Sequence, residues 1–578
     1  MRLDRFVAIP VLFGFFLYAT FAQDLVPPQH LVHDWSSRHV VFTGLTLENI
    51  AAAADADTRA WHSWVNHAGH RVEPREPDLT LALETDPRKF PLHRGGHHHK
   101  RLATDWQMPI GVQIGPTVFP AKFSFDANAT PDCANDYVVF PSSNIDVPGA
   151  SGPGVRGSLV AFNNLYTGPG PTGICPTPLS PATQPSVLFA YNTATMTGAM
   201  AYLSPALSLD GKKIAFVESN NGSGNNYAAF HVLTWKAGEG TAWNSAAVPG
   251  DCSPGNSCLT TLVLNNTRSD SNSSPFVDYA NDTAYVGDDA GRLHKITSVF
   301  SGTPAEVIGN GWPVQLRAAP SLIQSPVCDS VSGRIFVTDH FGMLFVVNAA
   351  SGVILNTISV TPFGFAPSDP IVDSTDQTVF VFGPNSFLDL AIWQYDTSGT
   401  LLRSTSFAGL AGTVNVYTGT FDNNYFTSPS SGLLYLAGAV NSVASLFAVG
   451  FTGKTMNASF SGPLILTTSS TTSEPTPLTE IFNPSFSAAK DRLFLGIDAN
   501  CASGSTNGCI ESFDISHGFP SGILSSYTLA TNGGSFSVSG IVVDNVSSAA
   551  QASSIYFESS PTGNPTQSAI KLTQSGLQ

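Results

Sequence analysis

The stretch "SPFVDYANDTAYVGDDAGRLHKITSVFSG" (274–302) holds two short apolar strands, "AYVG" and "LHKIT", joined by a Gly-Asp-Asp-Ala-Gly turn and closed by Gly302. Alone it reads as a hairpin, but the chain repeats it. "YVVF" (137–140) precedes "LVAFNNLYTG" (159–168), "IAFV" (214–217) precedes "FHVLTWKAG" (230–238), and "IFVT" (335–338) precedes "LFVVNAASG" (344–352). "VFVF" (379–382) precedes "IWQYDTSG" (392–399), and "LYLA" (434–437) precedes "LFAVGFTG" (446–453). "LFLG" (493–496) and "IESFDISHG" (510–518), then "IYFE" (555–558) and "AIKLTQSG" (568–576), complete eight pairs. Their closing glycines, Gly168, Gly238, Gly302, Gly352, Gly399, Gly453, Gly518 and Gly576, step by 47 to 70 residues.

Ahead of many pairs stands a third element with proline or aspartate: "SPALSLD", "SPFVDY", "SPVCDS", "DPIVDS" and "NPSFSA". Units of this length, each with three or four β-prone strands, predict a β-propeller. A single twisted sheet cannot bury both faces, whereas a ring of sheets buries each against its neighbours. Tandem β-sandwiches would need about 100 residues per unit, more than the observed period. The fold class is therefore all-β, with eight blades, or seven if one pair is an insertion. The last copy ends directly after its pair. "IGVQIGPTVF" (110–119) is the segment read as its outer strand, which would close the ring through both chain ends. The closing glycines suit turns that need positive φ. Asp210, Asp278, Asp329 and Asp373 recur at equivalent positions and read as turn hydrogen-bonders.

Composition breaks near Asp105: 20 of 82 residues from Asp24 to Asp105 are charged, against 45 of 473 from Trp106 onward. Residues 1–22 read as a secretory signal, with Arg2 and Arg5 before an apolar run that ends on small residues at Ala22. The run is 17 residues long and is interrupted by Pro10, which favours cleavage over anchoring. Residues 23–105 read as an extension outside the ring. It has a helix over 47–67, where Ile50, Ala54, Trp61 and Val65 recur at helical spacing, and a Pro- and charge-rich linker after it. Residues 106–578 are the propeller. The extension's "HRGGHHHKR" (93–101), with His62, His67 and His70, could chelate a metal. Consecutive residues in a linker hold no fixed tetrahedron, so a solvated linker is the preferred reading.

Seven cysteines and an export signal point to an oxidising compartment, secreted or periplasmic. The expected bonds are Cys252–Cys258 and Cys501–Cys509, each closing a polar loop, with Cys133–Cys175 as a third and Cys328 a buried free thiol. No histidine stands near the two loop pairs, which argues against zinc. The formal charge of −16 repels nucleic acid and anionic lipid.

"LSLDGKKIAFVES" (207–219) resembles the Ser-Pro-Asp-Gly-Lys repeats of periplasmic translocation-type propellers, with Leu209 in place of the proline. "LFVVNAASGVILNTI" (344–358) resembles repeats of the quinoprotein and YVTN type. Over roughly residues 106–578 the chain looks like an uncharacterised group of secreted bacterial propeller proteins. The resemblance implies a fold and transfers no catalytic residues. Quinoprotein dehydrogenases bind pyrroloquinoline quinone and calcium. Their repeats carry a tryptophan after the glycine turn, where Val353-Ile354 and Thr400-Leu401 stand here. Sialidase boxes, G-x-S-x-G and H-E-x-x-H are absent from the sequence. "GDDAG" (287–291) and "NNGSGNN" (220–226) lack EF-hand ligand spacing and read as tight turns. Asp288/Asp289 could serve glycoside chemistry only at a suitable spatial separation. His231, His294 and His340 read as packed or surface residues.

No residue is thus assigned a catalytic, cofactor or metal role. The expectation is a monomeric, non-catalytic binding module for a glycan, peptide or protein. Its recognition loops would be Asn144–Arg156, Ala237–Ser274 and Asp498–Cys509. An extracellular lyase, hydrolase or quinone-dependent dehydrogenase is the alternative, because propellers host both classes.

Overall fold

A computed structural model describes residues 31–36, 38–42 and 102–574, except 112–114, 125–130, 146, 168–174, 176–183, 221–227, 266–269, 319, 363–366, 388, 408–415, 441–442, 469–472, 484–489, 503–506, 530–537, 546–552 and 560–566. The expected signal, the helix over 47–67 and the histidine tract lie outside the described residues.

The chain is an eight-bladed β-propeller. Each of the eight strand pairs read from the sequence forms the middle two strands of one blade. Examples are Thr283–Gly287 against Arg292–Thr297, and Thr378–Pro384 against Leu390–Asp396. These pairs are apolar on both faces because each blade packs between two others. Val337, Leu344, Val346, Val379, Val381 and Ala391, from blades four and five, share one buried cluster. The innermost strands are short, from Ala206–Leu207 to Thr479–Asn483, as convergence on a central axis requires. Four of them follow the proline motifs closely: Ala206–Leu207, Phe276–Asp278, Val327–Asp329 and Ile371–Asp373. In blade seven the inner strand is Thr479–Asn483, which ends where "NPSFSA" begins. Residues 484–488 of that motif lie outside the described residues.

The recurrent aspartates do close turns. Asp329 accepts from the amides of Val331 and Ser332, and Asp373 from those of Thr375 and Asp376. They also tie blades together: Ser374 Oγ donates to Asp329 at 2.6 Å, and Tyr425 OH to Asp373 at 2.9 Å. Positive φ occurs at Gly238, Gly352, Gly399, Gly453 and Gly518. At Gly302 the turn takes its left-handed residue earlier, at Ser298.

Closure runs through both chain ends, but not by the expected segment. Leu102–Gly111 pairs antiparallel with Gln567–Gln574 and forms the outer strand of blade eight, overlapping 110–119 only at its last two residues. Register shifts fall between Thr104/Trp106 and Pro109/Gly111, and Leu102 packs with Ile481 and Phe494 of blade seven while Trp106 and Ile110 pack with Val138 and Phe140 of blade one. The composition break at Asp105 falls inside this strand. Asp105 is there because buried Lys571 needs a counter-charge, at 2.8 Å. Trp106 packs against Phe162 and Tyr556 and donates Nε1 to the carbonyl of Leu165, stitching blade eight to blade one. Buried Lys122 and Asp544 pair across the same seam at 2.9 Å.

The three expected disulfides are present, Cys133–Cys175, Cys252–Cys258 and Cys501–Cys509, and Cys328 is free and buried. Much of Ala237–Ser274 is not a free loop. Residues 238–247 run along the outer strand of blade one, with Gly238 N bonded to Leu188 O and Ala247 N to Ala190 O, and Cys258–Val263 is blade two's own outer strand. This excursion covers an edge that would otherwise expose unpaired backbone.

Candidate functional site

Innermost strands begin on one face of the ring, here called upper, and end on the other. The second-to-third strand turns lie on the upper face. Around the upper mouth, residues at the start of successive inner strands form a belt. The amide of Phe119 donates to Ser204 Oγ, that of Ser204 to Ser274 Oγ, that of Ser274 to Ser325 Oγ, and that of Ser325 to Asp369 Oδ1. Thr418 Oγ1 donates to the carbonyl of Asp369, and Gly540 N to that of Val118. The four residues Ser204, Ser274, Ser325 and Asp369 each precede a proline. Proline is tolerated there because an innermost strand is an edge with no ladder partner for its amide.

The channel inside this belt is occupied by the chain's own N-terminal segment, which corrects the expectation that residues 23–105 all lie outside the ring. Val32–His33 pairs antiparallel with the inner strand of blade five, and Val40–Phe42 pairs parallel with the inner strand of blade one, directly across the ring. Strand direction then fixes the path. The segment rises from the lower face at Leu31, turns over Trp35–His39 near the level of the belt, and descends. Its contacts span the circumference. Ser36 Oγ lies 3.4 Å from Thr420 Oγ1 of blade six. Trp35 and Val40 share a cluster with Phe119 and with Val542 of blade eight, and His39 stacks on Phe119 with centroids 4.4 Å apart. Arg38 stands between Trp35 and Phe276 of blade three, its Cζ 4.5 and 3.6 Å from the ring centroids.

This loop tip carries perturbed groups. Burial, reinforced by Arg38, holds His33 down at about 4 although Asp329 and Asp278 pull it up. Burial also depresses His39 and lowers Arg38 to about 9. It pushes Asp369 up to about 7, against the opposing effects of the Ser325 amide and Arg38. Several buried polar atoms of the tip have no hydrogen-bond partner among the described residues: His33 Nε2, Trp35 Nε1, Arg38 Nη1, and both ring nitrogens of His39. Sequence reading missed these residues because their composition matches the charged extension around them. The "SP" and "DP" starts of the inner strands were the visible signal of the mouth.

The residues singled out from the sequence fall elsewhere. Asp288 is buried, accepts the amide of Arg292, and lies 3.1 Å from His294 Nε2. His294 Nδ1 meets Glu306 at 2.6 Å. Burial opposes protonation of His294, but these two carboxylates outweigh it and raise its pKa. Asp289 is pushed up to about 7 by burial and by Asp270. "GDDAG" is indeed a β-turn between strands, while residues 221–226 of "NNGSGNN" lie outside the described residues. His231 is buried against Glu218 at 2.7 Å, and His340 is exposed. Cys501, Cys509 and Glu511 lie close enough to hold a metal, but the cysteines are bonded to each other. The Asn144–Arg156 loop is held by Asn144 Nδ2 to Gly157 O and by Asn192 Nδ2 to the carbonyls of Val147 and Ala150.

No family model matches the chain, and no curated protein does. Among solved structures it is similar to the WD40 domain of Toxoplasma gondii coronin, with 12% identity over 81% of this chain and 89% of that one, at a TM-score of 0.38. It is also similar to the Dos1 propeller, with 10% identity over 82% and 96%, at 0.44. Scores this low carry no argument about activity, and the fold stands on the eight sheets themselves.

Proposed function

We propose that this chain is a secreted, monomeric interaction module that receives a glycan, peptide or protein on the upper face of its ring. The observation that carries the reading is a set of large apolar side chains exposed on rigid turns of that face. Phe387 is 80% exposed, and the amides of Phe387 and Asp389 both donate to Asn385 Oδ1, which fixes the turn. Ile145 and Val147, at 53% and 62%, stand on the pinned loop of blade one, across the ring. An apolar group already held in place loses little entropy on binding, so such residues make effective anchors. Three disulfides support an extracytoplasmic setting. The likeness of the repeats to those of secreted bacterial propellers supports it too.

Glycan and peptide arrays probed with the full chain and with a Phe387→Ser, Ile145→Ser, Val147→Ser variant test the reading. Binding that falls tenfold or more in the variant, at unchanged melting temperature, is the expected result. Undiminished binding would move the interface to the lower face, where Val331 and Val353 are exposed.

A further inference from the structure

We propose that the channel segment 31–42 is a displaceable plug, an internal stand-in for an extended apolar peptide that binds the same inner-strand edges by strand addition. This site is separate from the upper-face turns. Its ligand is a polypeptide because the contact on offer is a backbone ladder. The amide of Ser374 donates to the carbonyl of Leu31 at 2.7 Å, and that of Lys122 to the carbonyl of His39 at 2.8 Å. Leu31 N donates to Thr375 Oγ1 at 2.7 Å. Val32 and His33 stand opposite Asp373 and Val372, and Val40, Val41 and Phe42 opposite Lys122, Phe123 and Ser124. An innermost edge presents a row of N–H and C=O groups that an extended main chain matches and a glycan does not.

The side chains of the segment fit less well than its backbone. His33 Nε2, Trp35 Nε1, Arg38 Nη1 and both His39 ring nitrogens are buried with no hydrogen-bond partner among the described residues. Stranding polar atoms in this way is costly, and apolar side chains at the same places would avoid the cost. Burial also lowers Arg38 to about 9 although Tyr279, Asp369 and Asp34 draw it up, so its charge too is held against a penalty. The path of the chain leaves an exit. Val32–His33 rises from the lower face and Val40–Phe42 descends to it, so withdrawal draws no chain end through the ring. Ring closure does not use the segment: each blade has its own four strands, and Leu102–Gly111 shuts the seam. Withdrawal bares two inner edges on opposite sides of the channel, and the faces of Phe119 and Phe276 that His39 and Arg38 now cover. Being tethered, the plug competes at a high effective concentration, so an incoming peptide must outbid it.

The test uses the full chain and a fluorescein-labelled peptide copying residues 31–42 with His33→Val and His39→Phe, read by anisotropy. Saturable binding, about tenfold or more tighter than that of the unaltered copy, is the expected result. A full-chain Val32→Asp, Val41→Asp variant puts carboxylates at positions 2% and 1% exposed, which should expel the plug. That variant should take up the peptide about tenfold or more tighter than the wild type. In the wild type, hydrogen exchange should find the amides of 32–33 and 40–42 opening about a hundredfold or more faster than those of Thr378–Pro384. A peptide that binds neither protein, a variant ring that does not fold, or plug amides as slow as the blade's overturns the inference. Array binding that depends on Phe387, Ile145 and Val147 while every form refuses the peptide leaves the upper-face reading intact. Peptide binding that persists without those residues isolates the opposite failure.

Discussion

Replacing Trp106 with alanine tests whether the two chain ends hold the ring shut. Trp106 is 3% exposed, packs on Phe162 and Tyr556 at centroid distances of 5.9 and 6.0 Å, and donates Nε1 to Leu165 O at 3.1 Å. Truncating a buried tryptophan costs about 3–5 kcal/mol in lost transfer energy and cavity formation. Leaving the Leu165 carbonyl unpaired adds about 1 kcal/mol. At ~2.1 cal/mol/K per residue, a ring of roughly 470 residues unfolds with an entropy near 1 kcal/mol/K. The melting temperature should therefore fall by about 4–6 °C if the ring melts as one unit. Scanning calorimetry at one fixed rate, paired with urea titration, reads the effect while holding irreversibility constant. Trp106→Phe, which retains most of the volume, should lose about 1–2 °C. Phe387→Ala, at an 80% exposed position, should change almost nothing. A shift below about 1 °C for Trp106→Ala would refute closure by Leu102–Gly111 as a stabilising seam.

Stability should fall as pH rises from 6.5 to 8. Burial raises Asp289, Asp369 and Asp422 to about 7 and Glu511 to about 8, so the folded state holds protons in this window that the unfolded chain has released. The raised pKa of His294 acts in the same sense, since its contribution is complete below the unfolded value and lost as pH climbs through the folded one. His33 and His39, with lowered pKa, oppose the trend only below about 6.5, where the unfolded imidazole titrates. A melting temperature that rises across the window contradicts this sum, and Asp422→Asn should flatten the slope. Separately, Gly240→Ala should loosen the segment that covers blade one. Gly240 has φ +74° and a Cβ there would sit 2.1 Å from the Ala190 carbonyl oxygen, so a loss of at least about 2 kcal/mol is expected. Limited proteolysis between residues 238 and 257 should accelerate, and an unchanged cleavage rate would count against the edge-covering role.

Repetition is what the sequence by itself determined. Eight apolar pairs with closing glycines and turn aspartates are local features, each set by short-range strand and turn chemistry, and their number and spacing leave a ring as the way to bury both faces of every sheet. Cys252–Cys258 and Cys501–Cys509 were legible for the same reason, since each closes a loop of 6 or 8 residues, while Cys133–Cys175, 42 residues apart, followed from the antiparallel pairing of the strands beside it. Tertiary structure decided what depends on partners far along the chain. Asp105 reads as part of a polar extension until Lys571, more than four hundred residues later, is found 2.8 Å away. Val32–His33 and Val40–Phe42 are too short to register as strands, and they become strands because the inner edges of blades five and one offer open hydrogen-bonding groups. Arg38 and its neighbours look like one more charged stretch in sequence. Only the closed ring turns them into a buried cluster at the axis, because burial and the loss of partners are properties of the assembled channel and not of the residues that enter it.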